Sequence, residues 1–248
     1  MEWISHRGES KDAPENTMSA FRLAIQRDTS GIETDIHLTA DHQLVCIHDS
    51  DTKRVTGESI IVEESTFDEL RQLDFCNGKE DFRGEKIPLF RDFLNLIKPG
   101  KRYFIEIKKN DENVLAAMAE ELKKQDIASE QIVVISFQQD MVRLSKKYMP
   151  EIKTLWLTKF TETDGVFHPT KEECLEILTA IHADGIDAKG SDEAAFDDAS
   201  VAYLKSRGFS FAVWTIDNAV QAAHYIDLGV DAITSNCAAM IRDIVEKH

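Results

Sequence analysis

The sequence has a small share of positive charge. Lysine and arginine number 29 among the 248 residues, against 45 aspartates and glutamates, and the formal net charge is −16. Nucleic acids and anionic membrane surfaces are bound by basic faces, so we expect no nucleic-acid partner and no stable membrane association. An anionic small molecule would have to be met by cations placed locally. The oligomeric state cannot be inferred from this composition.

Long apolar runs, export signals and paired cysteine motifs are also missing. No run approaches the roughly 20 apolar residues of a membrane-spanning helix. The start of the sequence, Met1-Glu2-Trp3, lacks a basic segment followed by an apolar one. The four cysteines show no CxxC spacing and are expected to be reduced, mostly buried thiols. These features predict a cytoplasmic protein.

Strand-like and helical segments alternate along the chain, which is typical of parallel βαβ units. The predicted strands lie near Trp3–His6, Gly31–His37, Arg102–Lys108, Gln131–Ser136, Thr154–Thr158, Gly185–Lys189, Phe209–Thr215 and Asp231–Thr234. The predicted helices are Thr17–Arg27, Phe90–Ile97, Asn113–Gln125, Gln139–Tyr148, Lys171–His182, Glu193–Arg207, Asn218–Leu228 and Ala238–Glu246. Eight such repeats predict an α/β fold, a (β/α)8 TIM barrel, with residues 1–248 forming a single domain.

The interval between the second strand and the second helix is longer than a simple connection. It holds a short extra strand at Leu44–Ile47 and a polar stretch with glycines at positions 57, 78 and 84. We interpret residues 49–86 as a small insertion on the loop side of the barrel. Insertions of this kind usually shape access to a site.

Acidic residues lie near the ends of two predicted strands. Because side chains alternate along a strand, Glu33 and Asp35 share one face, and Glu106 and Lys108 share the inward face of the next strand. Chemistry in this fold takes place at the C-terminal strand ends. Three carboxylates are oxygen ligands that suit Mg²⁺ or Ca²⁺ better than zinc. The alternative is a buried salt-bridge network with Arg7 and Lys108.

His6 and His48 are predicted to transfer protons, because an unperturbed imidazole titrates near neutrality. Either histidine alone would more often be structural, but their pairing around the acids favours catalysis. Arg7 and Lys108 are predicted to bind a phosphate group, although either would also neutralise carboxylates. Strict alternation places Arg7 on the face opposite His6, so the chain must already curl into the loop there.

An ordered set of motifs spans nearly the whole chain. These motifs are His6-Arg7-Gly8, Ala13-Pro14-Glu15-Asn16-Thr17, Glu33-x-Asp35, Ile47-His48-Asp49, Arg54-x-Thr56-Gly57, Ile87-Pro88, Ile105-Glu106-Ile107-Lys108, Ser136-Phe137 and Trp214-Thr215. Together they closely resemble the bacterial glycerophosphodiester phosphodiesterase family. The resemblance implies a TIM barrel with a small inserted subdomain and a divalent cation held by Glu33, Asp35 and Glu106. It also implies acid/base roles for His6 and His48, and hydrolysis of glycerophosphodiesters to sn-glycerol 3-phosphate and an alcohol.

Other candidate substrate contacts are Trp214 and Glu15. Trp214 is expected to face inward, either as core packing or as an apolar wall for glycerol carbons or a choline head group. Glu15 is expected to orient Arg7 or a histidine, or only to begin the first helix, with Asn16 as the helix cap. His37 has no partner visible in the sequence and is interpreted as surface or structural.

Two segments depart from the family pattern. Leu89-Phe90-Arg91 replaces a Thr-Leu-Glu-like continuation, and Ser235-Asn236-Cys237 stands where an Asp followed soon by Pro is common. We expect both to alter substrate preference at the rim without touching the metal or proton-transfer residues.

Some alternatives remain open at this stage. The enzyme could be a phosphodiesterase or lyase acting on lysophospholipids or phosphoinositides, or the chain could be a noncatalytic barrel that binds a phosphorylated metabolite. The attacking nucleophile could be water or the glycerol 2-hydroxyl, and the preferred head group is not predicted.

Overall fold

The computed structural model describes residues 1–191 and 198–246. Within them the strands are β1 (Glu2–His6), β2 (Gly31–Leu38), β3 (Leu44–Cys46), β4 (Arg102–Ile107), β5 (Ile132–Ser136), β6 (Lys153–Thr158), β7 (Thr161–Thr163), β8 (Val166–His168), β9 (Gly185–Lys189), β10 (Ser210–Trp214) and β11 (Ala232–Ser235). The α-helices are α1 (Met18–Gln26), α2 (Lys53–Thr56), α3 (Phe67–Leu70), α4 (Phe90–Leu94), α5 (Glu112–Lys124), α6 (Gln139–Tyr148), α7 (Lys171–Ala180), α8 (Asp198–Lys205), α9 (Ala219–Asp227) and α10 (Ala238–Val245).

Eight parallel strands close into a barrel. β1 pairs with both β2 and β11, and the wall between them runs through β10, β9, β6, β5 and β4. Each predicted strand corresponds to one of these eight, with helices between them. The predicted TIM barrel is therefore confirmed.

Alternation along the strands separates the two faces of the barrel wall. On β4, Tyr103, Ile105 and Ile107 pack in the layer between the strands and the helices. Phe104 points the other way, into a separate apolar cluster inside the barrel. The same alternation turns Glu106 into the barrel interior, as the sequence predicts.

An insertion between β2 and α4 carries its own small core. β3 pairs antiparallel with the end of β2, which confirms the predicted extra strand. Beyond it, α2, α3 and the 3-10 helices Val62–Glu64 and Glu80–Phe82 surround a separate apolar cluster. This cluster shares Val45 and Ile47 with the β3 segment. The insertion is thereby anchored to the rim of the barrel.

The hairpin formed by β7 and β8 was not predicted. Its strands pair antiparallel between β6 and α7 and consist of exposed or half-exposed residues. Such a segment has no buried face to give an apolar alternation, so the sequence resembles a loop. The first part of the predicted helix Glu193–Arg207 lies outside the described residues, and α8 is its described part.

The four cysteines are unpaired, and Cys46, Cys174 and Cys237 are buried, as predicted. Within the described ranges, none of the helices has the length and apolar character needed to cross a membrane.

Candidate active site

A left-handed turn at the end of β1 brings His6 and Arg7 to one site. Arg7 has φ of 54° and Gly8 has φ of 79°. A Cβ at Gly8 would lie 2.5 Å from the carbonyl carbon of Ala20 in α1, so this close packing requires glycine. The expected curl of the chain is confirmed, and it explains how Arg7 and His6 line the same cavity despite their adjacent positions.

Glu33, Asp35 and Glu106 form a compact acidic cluster on the neighbouring strands β2 and β4. One oxygen from each carboxylate lies within 4.8 Å of the others, and Asp35 pairs directly with Glu106 in the strand register. All three residues are buried. The Oδ1 atom of Asp35 has no hydrogen-bond partner; Lys108 Nζ lies 3.3 Å away but is not aligned for a hydrogen bond. A buried all-oxygen donor set with an unused carboxylate oxygen fits a hard divalent cation.

Burial and mutual repulsion separate the titration of the three acids. Burial, followed by the charge of Asp35, raises the pKa of Glu33 well above its usual value and the pKa of Glu106 to about 7. Burial also opposes ionisation of Asp35, but Lys108 and then Arg7 hold its pKa far below the usual range. The cluster is therefore short of positive charge, and a divalent cation would take the place of the protons on Glu33 and Glu106.

Arg7 and Lys108 contact both the acids and the cavity. Lys108 Nζ donates to Glu106 Oε1 at 2.6 Å, and Arg7 Nε lies 3.2 Å from Asp35 Oδ2. The salt-bridge network considered from the sequence is thus present. Both cations also line the cavity, where a phosphate group would meet them.

Glu15 contacts Arg7 and not the cavity. Its Oε1 accepts from Arg7 Nη1 at 2.8 Å, and Arg54 donates to both of its carboxylate oxygens at 2.7 and 2.8 Å. Glu15 is absent from the cavity wall. The expectation that it orients Arg7 agrees with this geometry, whereas a direct substrate contact does not.

Asn16 orients an acid and does not cap the first helix. Its Nδ2 donates to Asp35 Oδ2 at 2.8 Å, and its Oδ1 accepts from Thr34 Oγ1 at 2.8 Å. Thr17 is the cap of α1, accepting from the backbone N–H of Ala20. The predicted cap was therefore wrong by one residue, and Asn16 instead fixes the orientation of a candidate metal ligand.

His6 is held by a chain of hydrogen bonds from the opposite end of the sequence. Its Nδ1 lies 2.7 Å from Asn236 Oδ1. Asn236 in turn donates to Asp217 through its side-chain Nδ2 at 2.6 Å and its backbone N–H at 2.8 Å. Because an amide oxygen only accepts, Nδ1 of His6 carries the hydrogen and Nε2 is left with a free lone pair. That Nε2 lies 3.9 Å from Glu33 Oε2.

This contact corrects an expectation about the segment Ser235–Cys237. Asn236 bonds directly to a proposed proton-transfer residue, so the expectation that this departure leaves those residues untouched was wrong.

Burial, followed by the charge of Arg7, lowers the pKa of His6 to about 4, so the ring is neutral at neutral pH.

His48 directly precedes the insertion and is held at the site by residues of the insertion. Its Nδ1 lies 2.6 Å from Asp49 Oδ1, and Arg54 Nε donates to Asp49 Oδ2 at 2.6 Å. Burial lowers the pKa of His48, opposed by the charge of Asp35 and by the bond to Asp49. The side chain is 31% exposed, compared with 15% for His6. A carboxylate partner stabilises a protonated imidazole more than a neutral amide does.

His37 lies beneath His48 and is buried, so the surface alternative was wrong. Its Nδ1 lies 2.8 Å from Glu63 Oε1, and its Nε2 lies 3.1 Å from the carbonyl oxygen of His48. His37 therefore has the structural role that the sequence left open, tying the backbone of the insertion to β2.

A cavity of about 130 Å³ lies at the C-terminal end of the barrel. Its charged side holds His6, Arg7, Glu33, His48, Glu106 and Lys108, and its other side holds Ile135, Phe137, Leu157, Lys159, Asp187, Trp214 and Thr234. Trp214 lines the cavity, as expected; its Nε1 donates to the carbonyl oxygen of Asp187 at 3.2 Å, and its ring meets Phe137 edge-on at 5.6 Å. The predicted charged residues thus face an apolar wall with one buried acid.

The segment Leu89–Arg91 does not line this cavity, contrary to the expected change at the rim. Leu89 is buried in the apolar cluster of the insertion. Arg91 Nη1 donates to Gln43 Oε1 at 2.9 Å, on the outside of the barrel. This departure from the family pattern is therefore a packing feature.

Sequence reasoning missed the partners of the histidines and the acid of the apolar wall. Asp49 follows His48 directly, which was a usable signal. Asp187 occupies the inward position of a predicted strand, where an acid is unusual. Burial, followed by the charge of Glu106, raises the pKa of Asp187 well above its usual value. Asn236 gave no signal beyond its departure from the family pattern.

Comparisons with known proteins match one family over nearly the whole chain. The model of the glycerophosphoryl diester phosphodiesterase family matches residues 6–239. A glycerophosphodiester phosphodiesterase of Caldanaerobacter subterraneus is 29% identical over 249 residues, covering 98% of this chain and 97% of the relative. Lysophospholipase D GDPD1 of Mus musculus is 28% identical, covering 98% and 85% respectively. The structure of an Oleispira antarctica phosphodiesterase in complex with the product sn-glycerol-3-phosphate has a TM-score of 0.86 at 25% identity, covering 99% of this chain and 97% of that one.

Proposed function

The chain belongs to the glycerophosphoryl diester phosphodiesterase family and hydrolyses glycerophosphodiesters, and from that premise we propose which residues carry out the reaction. The observation that supports the proposal is the meeting of three acids, two histidines and two cations around one cavity. The products are sn-glycerol 3-phosphate and an alcohol. The enzyme assignment sets aside the noncatalytic barrel.

Glu33, Asp35 and Glu106 hold the divalent cation, Mg²⁺ or Ca²⁺. Members of the family generally depend on a divalent cation, and the cluster has the donor set for one. When bound, the cation supplies Lewis-acid stabilisation of charge on the phosphate oxygens. Asn16 and the backbone N–H of Arg7, which donates to Glu33 Oε2 at 2.9 Å, keep two of the acids in place.

Arg7 and Lys108 bind the phosphate group. Arg7 offers a planar donor fork and Lys108 a compact charge. Both are held by carboxylates at their inner sides, so each is positioned before the substrate arrives. They neutralise negative charge that grows on the phosphate in the transition state.

His6 is the general base and His48 the general acid. Nε2 of His6 has a free lone pair because Nδ1–H is given to Asn236. His48 has a carboxylate partner, Asp49, that stabilises its protonated form and opposes the lowering of its pKa by burial. Its greater exposure suits contact with the departing alcohol. His6 removes the proton of the nucleophile, and His48 protonates the leaving alkoxide.

The proton that His6 removes belongs either to water or to the glycerol 2-hydroxyl. Attack by the 2-hydroxyl forms a cyclic phosphate, which water opens in a second half-reaction. A substrate with a 2-deoxyglycerol half separates the two routes, because only the water route turns it over.

Residues 1–248 act as one catalytic domain, in which the insertion at residues 49–86 braces His48. The unpaired state of the four cysteines is compatible with action in the cytoplasm.

Lysophospholipids are the second candidate substrate class, since one relative is a lysophospholipase D. The apolar wall of the cavity is interrupted by Lys159 and Asp187, which disfavours a long acyl chain. A higher rate on a water-soluble glycerophosphodiester than on micellar lysophospholipid is the expected result.

The proposal is tested on protein stripped with a chelator. Release of sn-glycerol 3-phosphate is measured from glycerophosphocholine, glycerophosphoethanolamine and glycerophosphoglycerol, before and after Mg²⁺ or Ca²⁺ is added back. Metal-restored release, with a ranking of head groups, is expected. A Glu33→Gln variant should need more metal for half-maximal rate. No release from any substrate with either cation would contradict the proposal.

A further inference from the structure

Two buried polar groups on the apolar wall have no partner and no role in the steps above. Among the described residues, the buried side-chain atoms without hydrogen bonds are Arg7 Nε, Asp35 Oδ1, Asp187 Oδ1 and Thr234 Oγ1. Arg7 is already assigned to the phosphate group and Asp35 to the metal ion. Asp187 on β9 and Thr234 on β11 line the same cavity.

Such groups are few in folded proteins, because a buried polar atom that gives up water without gaining a hydrogen bond destabilises the fold. Asp187 is 1% exposed and Thr234 is 2% exposed, so bulk solvent does not satisfy them. Neither has an ion-pair partner within the described part of the chain. A ligand that enters the cavity can form hydrogen bonds with both side chains.

The chemistry of the two groups selects the ligand. A carboxyl group and a hydroxyl group both accept hydrogen bonds from an alcohol O–H, and the threonine hydroxyl can also donate. The phosphate group already has Arg7 and Lys108 as partners at this cavity. A polyol is the ligand that satisfies both groups at once.

The cavity has a buried part and an exposed part, which we match to the two halves of a glycerophosphodiester. Asp187 and Thr234 are buried, whereas Lys159 at the same cavity is exposed, with its Nζ 5.2 Å from the centre of the Phe137 ring. The glycerol arm is small and identical in every such substrate, and the head group varies. The buried part therefore suits glycerol, and the exposed part suits the departing alcohol. Trp214 donates from Nε1 to the Asp187 carbonyl oxygen and so lies next to this buried part of the cavity.

We propose that Asp187 and Thr234 form the subsite that binds the hydroxyl groups of the glycerol half. This assignment rests on the proposed function. It gives the apolar wall a specificity role, in which phosphodiesters without glycerol hydroxyls leave both groups unsatisfied and are bound less well.

The test is calorimetric binding to the metal-loaded protein. The ligands are sn-glycerol 3-phosphate and n-propyl phosphate, which has the same carbon chain without hydroxyls. Wild-type protein should prefer sn-glycerol 3-phosphate by about tenfold or more. Asp187→Leu should reduce that preference, because leucine has a similar shape but no hydrogen-bonding group. Thr234→Val should reduce it by the contribution of one hydrogen bond. Both variants should bind n-propyl phosphate as wild type does.

Thr158→Val is the matched control. Thr158 is a buried threonine at the end of the neighbouring strand β6, and it is absent from the cavity wall. It should keep the wild-type preference. Because Asp187 and Thr234 lack partners, their variants should melt no lower than wild type. The wild-type preference and Thr234→Val test the inference even if Asp187→Leu does not fold.

Two results would overturn the inference: no wild-type preference for the hydroxylated ligand, or variants that weaken both ligands equally. Failure of the proposed function looks different, since wild-type protein would then release no sn-glycerol 3-phosphate from any glycerophosphodiester. Release without hydroxyl preference would overturn the subsite alone.

Discussion

The two histidines reach one cavity from regions that are built differently. His6 ends a barrel strand, and its partner Asn236 follows β11, the strand that closes the barrel against β1. His48 directly precedes the insertion, and its partner is the next residue, Asp49. One imidazole is deep and held by a neutral amide, while the other is more exposed and held by a carboxylate. A carboxylate partner and greater exposure favour a protonated imidazole, whereas an amide partner and burial favour a neutral one. This contrast supports the opposite proton-transfer roles that we propose for the two histidines.

Removing either histidine should have the largest effect. His6→Ala and His48→Ala are each expected to lower kcat by about 10²–10⁴-fold, because each removes one proton transfer. Metal affinity, measured by calorimetry, should stay close to wild type. His224→Ala on α9, away from the cavity, is the control. Near-wild-type turnover by both variants would show that neither histidine transfers a proton in the reaction.

Removing the hydrogen-bond partner of each histidine should change the pH dependence of the rate in different ways. Asn236→Ala is expected to lower kcat about 10–100-fold with little change in KM, because His6 loses its fixed tautomer. Asp49→Ala should lower kcat and also move the alkaline limb of the pH profile to lower pH. The sign follows because Asp49 raises the pKa of His48, and a general acid with a lower pKa loses its proton earlier.

Rate against pH for both partner variants is the measurement. The same pH shift in Asn236→Ala and Asp49→Ala would show that amide and carboxylate partners act alike, contrary to the proposed roles.

Glu106→Gln in the barrel should change the free energy of unfolding, whereas a comparable substitution in the insertion should not. The pKa of Glu106 is raised from 4.5 to about 7 in the folded protein. An acid with a raised folded pKa costs stability as pH rises through that window, and glutamine does not ionise. The metal-free variant should therefore gain on the order of 1–3 kcal/mol over wild type between pH 5 and pH 8.

Denaturant unfolding in chelator at both pH values measures this gain. Asp49→Asn, in the insertion, is the control and should show no such gain. A stability difference that is the same at both pH values would contradict the assigned burial of Glu106.

Trp214→Ala should have the smallest kinetic effect. The ring lines the cavity but moves no proton, so KM is expected to rise several-fold, about 5–10-fold, with a smaller fall in kcat. Steady-state kinetics on the best glycerophosphodiester measures both. An unchanged KM would return Trp214 to a packing role.

The barrel and the acidic triad could be predicted because they depend on periodicity. Alternation places Glu106 and Lys108 inside the barrel, and the apolar residues between them pack against the helices. Parallel neighbours then bring Asp35 beside Glu106 without further information.

The rest depends on loop geometry and long-range contacts, which periodicity does not encode. The bond from His6 to Asn236 joins residues 230 positions apart through two loops. The left-handed turn at Arg7 interrupts the alternation of side chains along β1. Asn16 donates to Asp35, whereas the sequence suggests that it caps the first helix. The exposed hairpin β7–β8 has no buried face, so it leaves no apolar pattern to detect.

The most direct test of the different roles of the two histidines changes the leaving group. A glycerophosphodiester with p-nitrophenol as the alcohol needs no protonation of its leaving oxygen. Its hydrolysis should be largely restored in His48→Ala and remain impaired in His6→Ala. Equal impairment of the two variants on this substrate, or restoration of His6→Ala alone, would contradict the assignment of His6 as base and His48 as acid.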